Sequence, residues 1–217
     1  MDSALGSIQG ISPVVNSTSG SVTVTSSDVF NYEKIGLYAS EDHKKQAEEA
    51  IDNINQITQR IADKNQVIES MKLFNLDKAF SGEKSPLELF TTAHNAFEMP
   101  IQENDPVITS LIPIRESINL MIEHLLRERT TQEPCGNERE KIKSIGRQLK
   151  KDSLEENVVI SWADQWHIMK GEDLSSSKNK AISRKEWQYR LNKSTIFIKS
   201  ILEGLDNSKL KSKRLKP

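Results

Sequence analysis

The sequence predicts an all-α protein: an irregular bundle of about six helices with one long amphipathic helix, a flexible N-terminal segment and a basic C-terminal tail. Three observations carry this. Apolar residues recur at three- and four-residue spacing in one segment after another from Ser40 onward. Nine glycines and seven prolines in 217 residues are too few for the many turns of an all-β chain. The strand-like alternation Ser21-Val22-Thr23-Val24-Thr25 is short and has no evident pairing partner. The expected organisation is a flexible or partner-pairing segment over 1–39, a helical bundle over 40–205 and a basic tail over 206–217.

The first helix is expected from Ser40 to about Phe74. Ser40 can accept from the first free N–H groups, and Glu41 and Asp42 suit the positive end of the helix dipole. Ala47, Ile54, Ile61 and Ile68 recur every seven residues, with Ala50, Ile57 and Met71 in the companion positions and Lys64 as the exception. This is a heptad seam, and it marks Ile54, Ile57, Ile61 and Ile68 as candidates to meet a partner helix or helices of the same bundle. Pro86 suits the first turn of a second helix, Leu87 to about Met99. A third follows from Ile114 to Arg129, with Ile118, Met121, Ile122 and Leu125 on its apolar face and a Glu123–Arg127 pair on the polar one.

Asn137 with Glu140 resembles a capping box and opens a fourth helix to about Lys151. A fifth, Leu154 to Lys170, lines up Val159, Trp162, Trp166 and Met169. Ser183 and Glu186 form a second capping box for the last helix, which should bury Trp187, Leu191, Ile198 and Ile201 and close at Gly204 as a C-terminal glycine. The three tryptophans are expected in the junction between these two helices.

Composition excludes several classes. No apolar run approaches the roughly 20 residues of a membrane span, and one cysteine excludes a disulfide framework or a multi-cysteine metal site. No Lys or Arg precedes Lys34 and no compact apolar run opens the chain, which argues against a secretory or transit peptide and makes the cytoplasm the expected compartment. The phosphate-binding glycine loops and the nucleophile elbow are missing. His43, His94, His124 and His167 have no metal-ligand spacing. His124 beside Glu123 and Glu128, and His167 one turn after Asp164, are the places to look for a general base, against the simpler reading of boundary and surface histidines. The Arg-then-His spacing of HEPN-type helical nucleases is absent. Cys135 precedes a helix start, where a thiol can be activated, but no nearby histidine offers a base. No catalytic, cofactor-binding or metal residue is therefore nominated, and no cofactor is expected.

Charge supplies the remaining hint. Residues 178–217 hold twelve basic and three acidic residues, a net of +9, which leaves −10 for residues 1–177 of a chain whose total is −1. Arg184, Lys185, Arg190, Lys193, Lys199, Lys209, Lys211, Lys213, Arg214 and Lys216 are candidates to contact nucleic acid or an acidic partner. Three functions remain open. The first is a non-enzymatic helical accessory subunit that assembles with a protein partner or with itself. The second is a nucleic-acid-binding module using the basic C-terminal region. The third is an atypical helical nuclease-type effector whose site is assembled only in three dimensions.

Overall fold

Seven α-helices run through residues 41–78, 84–98, 107–174 and 182–214, which the computed structural model describes. They are α1 (Glu41–Leu73), α2 (Pro86–Glu98), α3 (Ile112–Glu128), α4 (Glu138–Leu149), α5 (Glu156–Ile168), α6 (Arg184–Gly204) and the single turn α7 (Lys211–Arg214). A π-helical segment, Val107–Leu111, leads into α3, and another, Met169–Asp173, extends α5. The fold is all-α, and among the described residues the sheet-like pairing is an isolated bridge between Lys150 and Leu205. The Ser21–Thr25 alternation and the rest of the 1–39 segment lie outside the described residues.

Local chemistry places the helix ends. Ser85 opens α2: its hydroxyl accepts from the Glu88 N–H at 3.1 Å and the Glu88 carboxylate accepts from the Ser85 N–H at 2.7 Å, a full capping box with Pro86 in the first helical position. Asn137 and Ser183 cap α4 and α6, accepting from the backbone N–H groups of Glu140 and Glu186 at 3.0 and 3.1 Å. At the end of α1, Asn75 takes the left-handed conformation (φ 58°). The Leu76 N–H then reaches the Met71 carbonyl at 2.9 Å and the Asn75 N–H the Lys72 carbonyl at 3.0 Å, the paired bonds of a Schellman ending. Leu76 and Met71, the two side chains this ending brings together, are fully buried.

Contacts divide the chain into two units, residues 1–59 and 60–217. The described part of the first is α1 up to Gln59, where Ile51 is buried and Ile54 and Ile57 are half exposed. The second holds a continuous core built from Val67 and Met71 of α1, Phe90 of α2, Ile118 and Met121 of α3, Ile142 and Ile145 of α4, Trp162 and Trp166 of α5, and Phe197 and Ile201 of α6. Within this unit the heptad seam does not point inward as a whole. Ile68 is partly buried, but Ile61 is exposed, and α1 docks instead through the face of Val67 and Met71. A straight helix drifts about 20° per heptad against a seven-residue repeat. The buried face therefore leaves the seam toward its N-terminal end.

Two glycines let backbones approach closely. A Cβ on Gly146 of α4 would lie 2.3 Å from a Val159 methyl of α5. A Cβ on Gly204 would lie 2.5 Å from the Trp162 ring. Gly204 is thus required by the indole beside it. The C-cap of α6 is Leu205, in extended conformation.

Beyond Asp206, where the sequence suggests a basic tail, the chain docks. Leu210 is fully buried in the core. The Asp206 N–H reaches the Leu149 carbonyl at 2.8 Å, the Ser212 N–H reaches the Glu128 carboxylate at 2.9 Å and the Lys213 ammonium reaches the Leu73 carbonyl at 2.9 Å. Burial pushes the Glu128 carboxyl up, but the hydrogen bonds from Ser212 outweigh it and hold the group below the usual carboxylate range.

Candidate functional site

Two of the histidines named from the sequence are buried and bonded within the bundle. His94 is buried beside Phe90, and its Nε2 lies 3.0 Å from the Thr195 hydroxyl. That hydroxyl donates its proton to the Leu191 carbonyl at 2.9 Å, so His94 must be the donor to it, as the neutral Nε2–H tautomer. Burial, with help from the nearby Lys64 ammonium, lowers its pKa to about 4. His124 donates from Nε2 to the Phe74 carbonyl at 3.1 Å, and burial lowers its pKa as well. Both rings pin helices together. His167 is exposed, and the Asp164 expected beside it pairs with Arg139 of α4 at 2.7 Å. Glu123 likewise serves a neighbouring helix, pairing with Lys141 at 2.5 Å. Cys135 lies 3.4 Å from the Arg129 guanidinium, which also donates to the Leu126 and Glu133 carbonyls and to Ser144 and so staples the loop before α4. No group of three or more potential metal ligands occurs among the described residues.

The basic candidates are spent largely inside the chain. Arg184 donates to the Phe97 carbonyl at 2.8 Å and lies 4.5 Å from the centre of the Phe97 ring. Arg190 is held by Glu186 at 2.7 Å and by the Asp173 carbonyl at 2.8 Å. Lys193 pairs with Asp173 at 2.6 Å, Lys199 with Asp63 at 2.8 Å and Lys209 with Asp152 at 2.6 Å, while Lys213 is bound to the Leu73 carbonyl. Lys185, Lys211 and Arg214 are exposed. Lys216 lies outside the described residues. The charge excess near the C-terminus thus serves in good part to tie α6 and the docked end to acidic groups and carbonyls of the same chain.

The feature that the sequence reading passed over is apolar. A groove of about 330 Å³ opens between α5 and α6, lined by Gln165, Ile168, Met169, Tyr189, Asn192, Lys193, Ile196 and Phe197. Tyr189, Asn192, Lys193 and Ile196 follow the i, i+3, i+4, i+7 rule of one helix face, and Gln165, Ile168 and Met169 do the same on the facing wall. Ile168 is 48% exposed and Tyr189 and Ile196 are each 57% exposed. The floor is firm: Phe197 stacks on the buried Trp166 with ring centres 5.9 Å apart. Trp162 donates to Ser200 of α6 at 2.6 Å, which locks the same two helices together. Lys193, nominated above for phosphate contact, belongs to the groove wall. Its ammonium lies 5.9 Å from the centre of the Tyr189 ring, and the hydrogen bond to Asp173 raises its pKa. The available signal was a second apolar face on α6, with Tyr189 and Ile196 seven residues apart and off the Trp187–Leu191–Ile198 stripe.

Comparison of the chain with protein-family models, with curated proteins and with solved structures finds no match. No described helix is long and apolar enough to cross a membrane.

Proposed function

We propose that this protein is a non-enzymatic helical interaction module, an accessory subunit that assembles with a protein partner by accepting an amphipathic helix between α5 and α6. The observation that carries the reading is the groove itself. Three large apolar side chains, Ile168, Tyr189 and Ile196, are held in solvent over a rigid aromatic floor. Scattered exposed apolar residues need no explanation, but a concave set on two facing helices is the shape that helix-in-groove recognition uses. The buried histidines, each occupied in holding helices together, speak against catalysis at those positions. The cations engaged within the chain weaken the nucleic-acid reading, because an ammonium already paired with a carboxylate releases fewer counterions when a phosphate arrives.

Selection from a library of displayed helical peptides tests it. Peptides with apolar residues at i, i+3 or i+4 and i+7 should be enriched on the wild-type chain. Ile196→Glu should lose them, with an unchanged melting curve. Peptides selected without an apolar face, or binding indifferent to Ile196→Glu, would remove the groove as the recognition surface.

A further inference from the structure

The groove calls for an uncharged occupant. Its cation, Lys193, is neutralised by Asp173, and its other polar lining residues, Gln165 and Asn192, are neutral amides. A helix bringing a carboxylate or ammonium against such a wall would desolvate a charge with nothing to pair it. Among the described helices, α1 holds a stretch of the matching kind. Residues 53–59 (Asn53-Ile54-Asn55-Gln56-Ile57-Thr58-Gln59) are without charge in a sequence that is 28% charged, and they lie within α1. Ile54, Ile57 and then Ile61 stand at the i, i+3, i+7 spacing of groove anchors, and they are 51%, 47% and 55% exposed. Within it Asn53, Asn55, Gln56 and Gln59 alternate with Ile54 and Ile57, as Gln165 and Asn192 accompany the apolar groove lining, while the charged Asp52 and Arg60 bound the stretch.

We infer that the occupant of the α5–α6 groove is the Ile54–Ile61 stretch of α1 from a second copy of this chain, each copy giving its stretch to the other's groove. This rests on the reading of the groove as a helix acceptor. Reciprocity follows from closure: the same contact made in one direction would run on into a filament, whereas a two-fold exchange covers both apolar surfaces and ends. It also doubles the buried area toward the roughly 1,200 Å² at which specific interfaces begin.

Light scattering on the full chain during size-exclusion chromatography, over a dilution series, tests it. The wild type should be a dimer that dissociates on dilution. Ile57→Glu and Ile196→Glu should each weaken the dimer by roughly a hundredfold or more, since each buries an unpaired carboxylate at the contact. Both positions are exposed in the single chain, so both variants should melt as the wild type does. Mixing the two variants should give a heterodimer tighter than either variant's own dimer but weaker than the wild type, because one of its two contacts joins an intact stretch to an intact groove. A dimer broken by Ile57→Glu but untouched by Ile196→Glu would mean that α1 pairs with α1, and the inference fails. A wild type that stays monomeric at every concentration overturns it too. If that monomer still selects helical peptides through Ile196, the interaction-module reading survives alone. If it selects none, both readings fall.

Discussion

Gly146→Ala puts the close contact between α4 and α5 under load. In an isolated helix the change would help, by about 1 kcal/mol of helix propensity. In this bundle the new methyl would lie 2.3 and 2.7 Å from the two Val159 methyls and 3.0 Å from the Val159 Cβ. Val159 is fully buried and, as a β-branched residue in a helix, is restricted to one main rotamer. It therefore has no flexible end to swing aside, and α4 and α5 must separate. Overpacking of this kind costs about 1–3 kcal/mol. Set against the propensity gain, the variant should be less stable by up to about 2 kcal/mol, or up to about 8 °C in melting temperature for a chain of this size. Urea unfolding followed by circular dichroism measures it. Val159→Ala alone should cost about 2 kcal/mol by leaving a cavity. The double variant should cost less than the two singles together by about 1 kcal/mol or more, since the added methyl occupies the space the valine vacates. A Gly146→Ala variant more stable than the wild type, or strictly additive with Val159→Ala, would refute the reasoning.

Two further outcomes are expected. His94, with a folded pKa of about 4 against an ordinary 6.5, is neutral in both states at pH 7. As pH falls below 6.5 the unfolded chain takes up the proton first, so stability is fully present above 6.5 and drains away down to about 4, by about 3 kcal/mol at most. Urea midpoints measured between pH 7 and pH 5 should fall for the wild type and fall less for His94→Gln, with a residual slope from the similarly buried His124. Equal slopes would mean that His94 does not titrate as its surroundings demand. Leu210→Ala should lower stability by about 2–4 kcal/mol, because the side chain is fully buried. Removing residues 206–217 should lower the melting temperature at least as much. A truncated chain that melts like the wild type would show that the basic end is a solvated tail after all.

The sequence by itself determined the class of the fold and most of its punctuation. Caps are local chemistry: a serine or asparagine whose side chain reaches a backbone N–H three residues on needs nothing from the rest of the chain, so Ser183 and Asn137 were legible from spacing alone. Burial of the three tryptophans was legible too, because each sits on an apolar stripe at helical period. Tertiary structure decided which stripe is covered. The heptad spacing put Ile61 on the expected seam and left Val67 off it, and the angle at which α1 meets the bundle buries the second and exposes the first. It also decided the fate of the charges. Lys193, Lys199 and Lys209 read as a basic surface until the fold brings Asp173, Asp63 and Asp152 against them from elements 20, 136 and 57 residues away. The groove belongs to neither α5 nor α6 alone. It exists because Gly204 admits the Trp162 ring, Trp166 stacks on Phe197, and the two helices lock with Ile168 and Ile196 left outside the seam. Periodicity is a property of one helix, while a concave surface is a property of the distance and angle between two, and those are set by side-chain packing across the whole core.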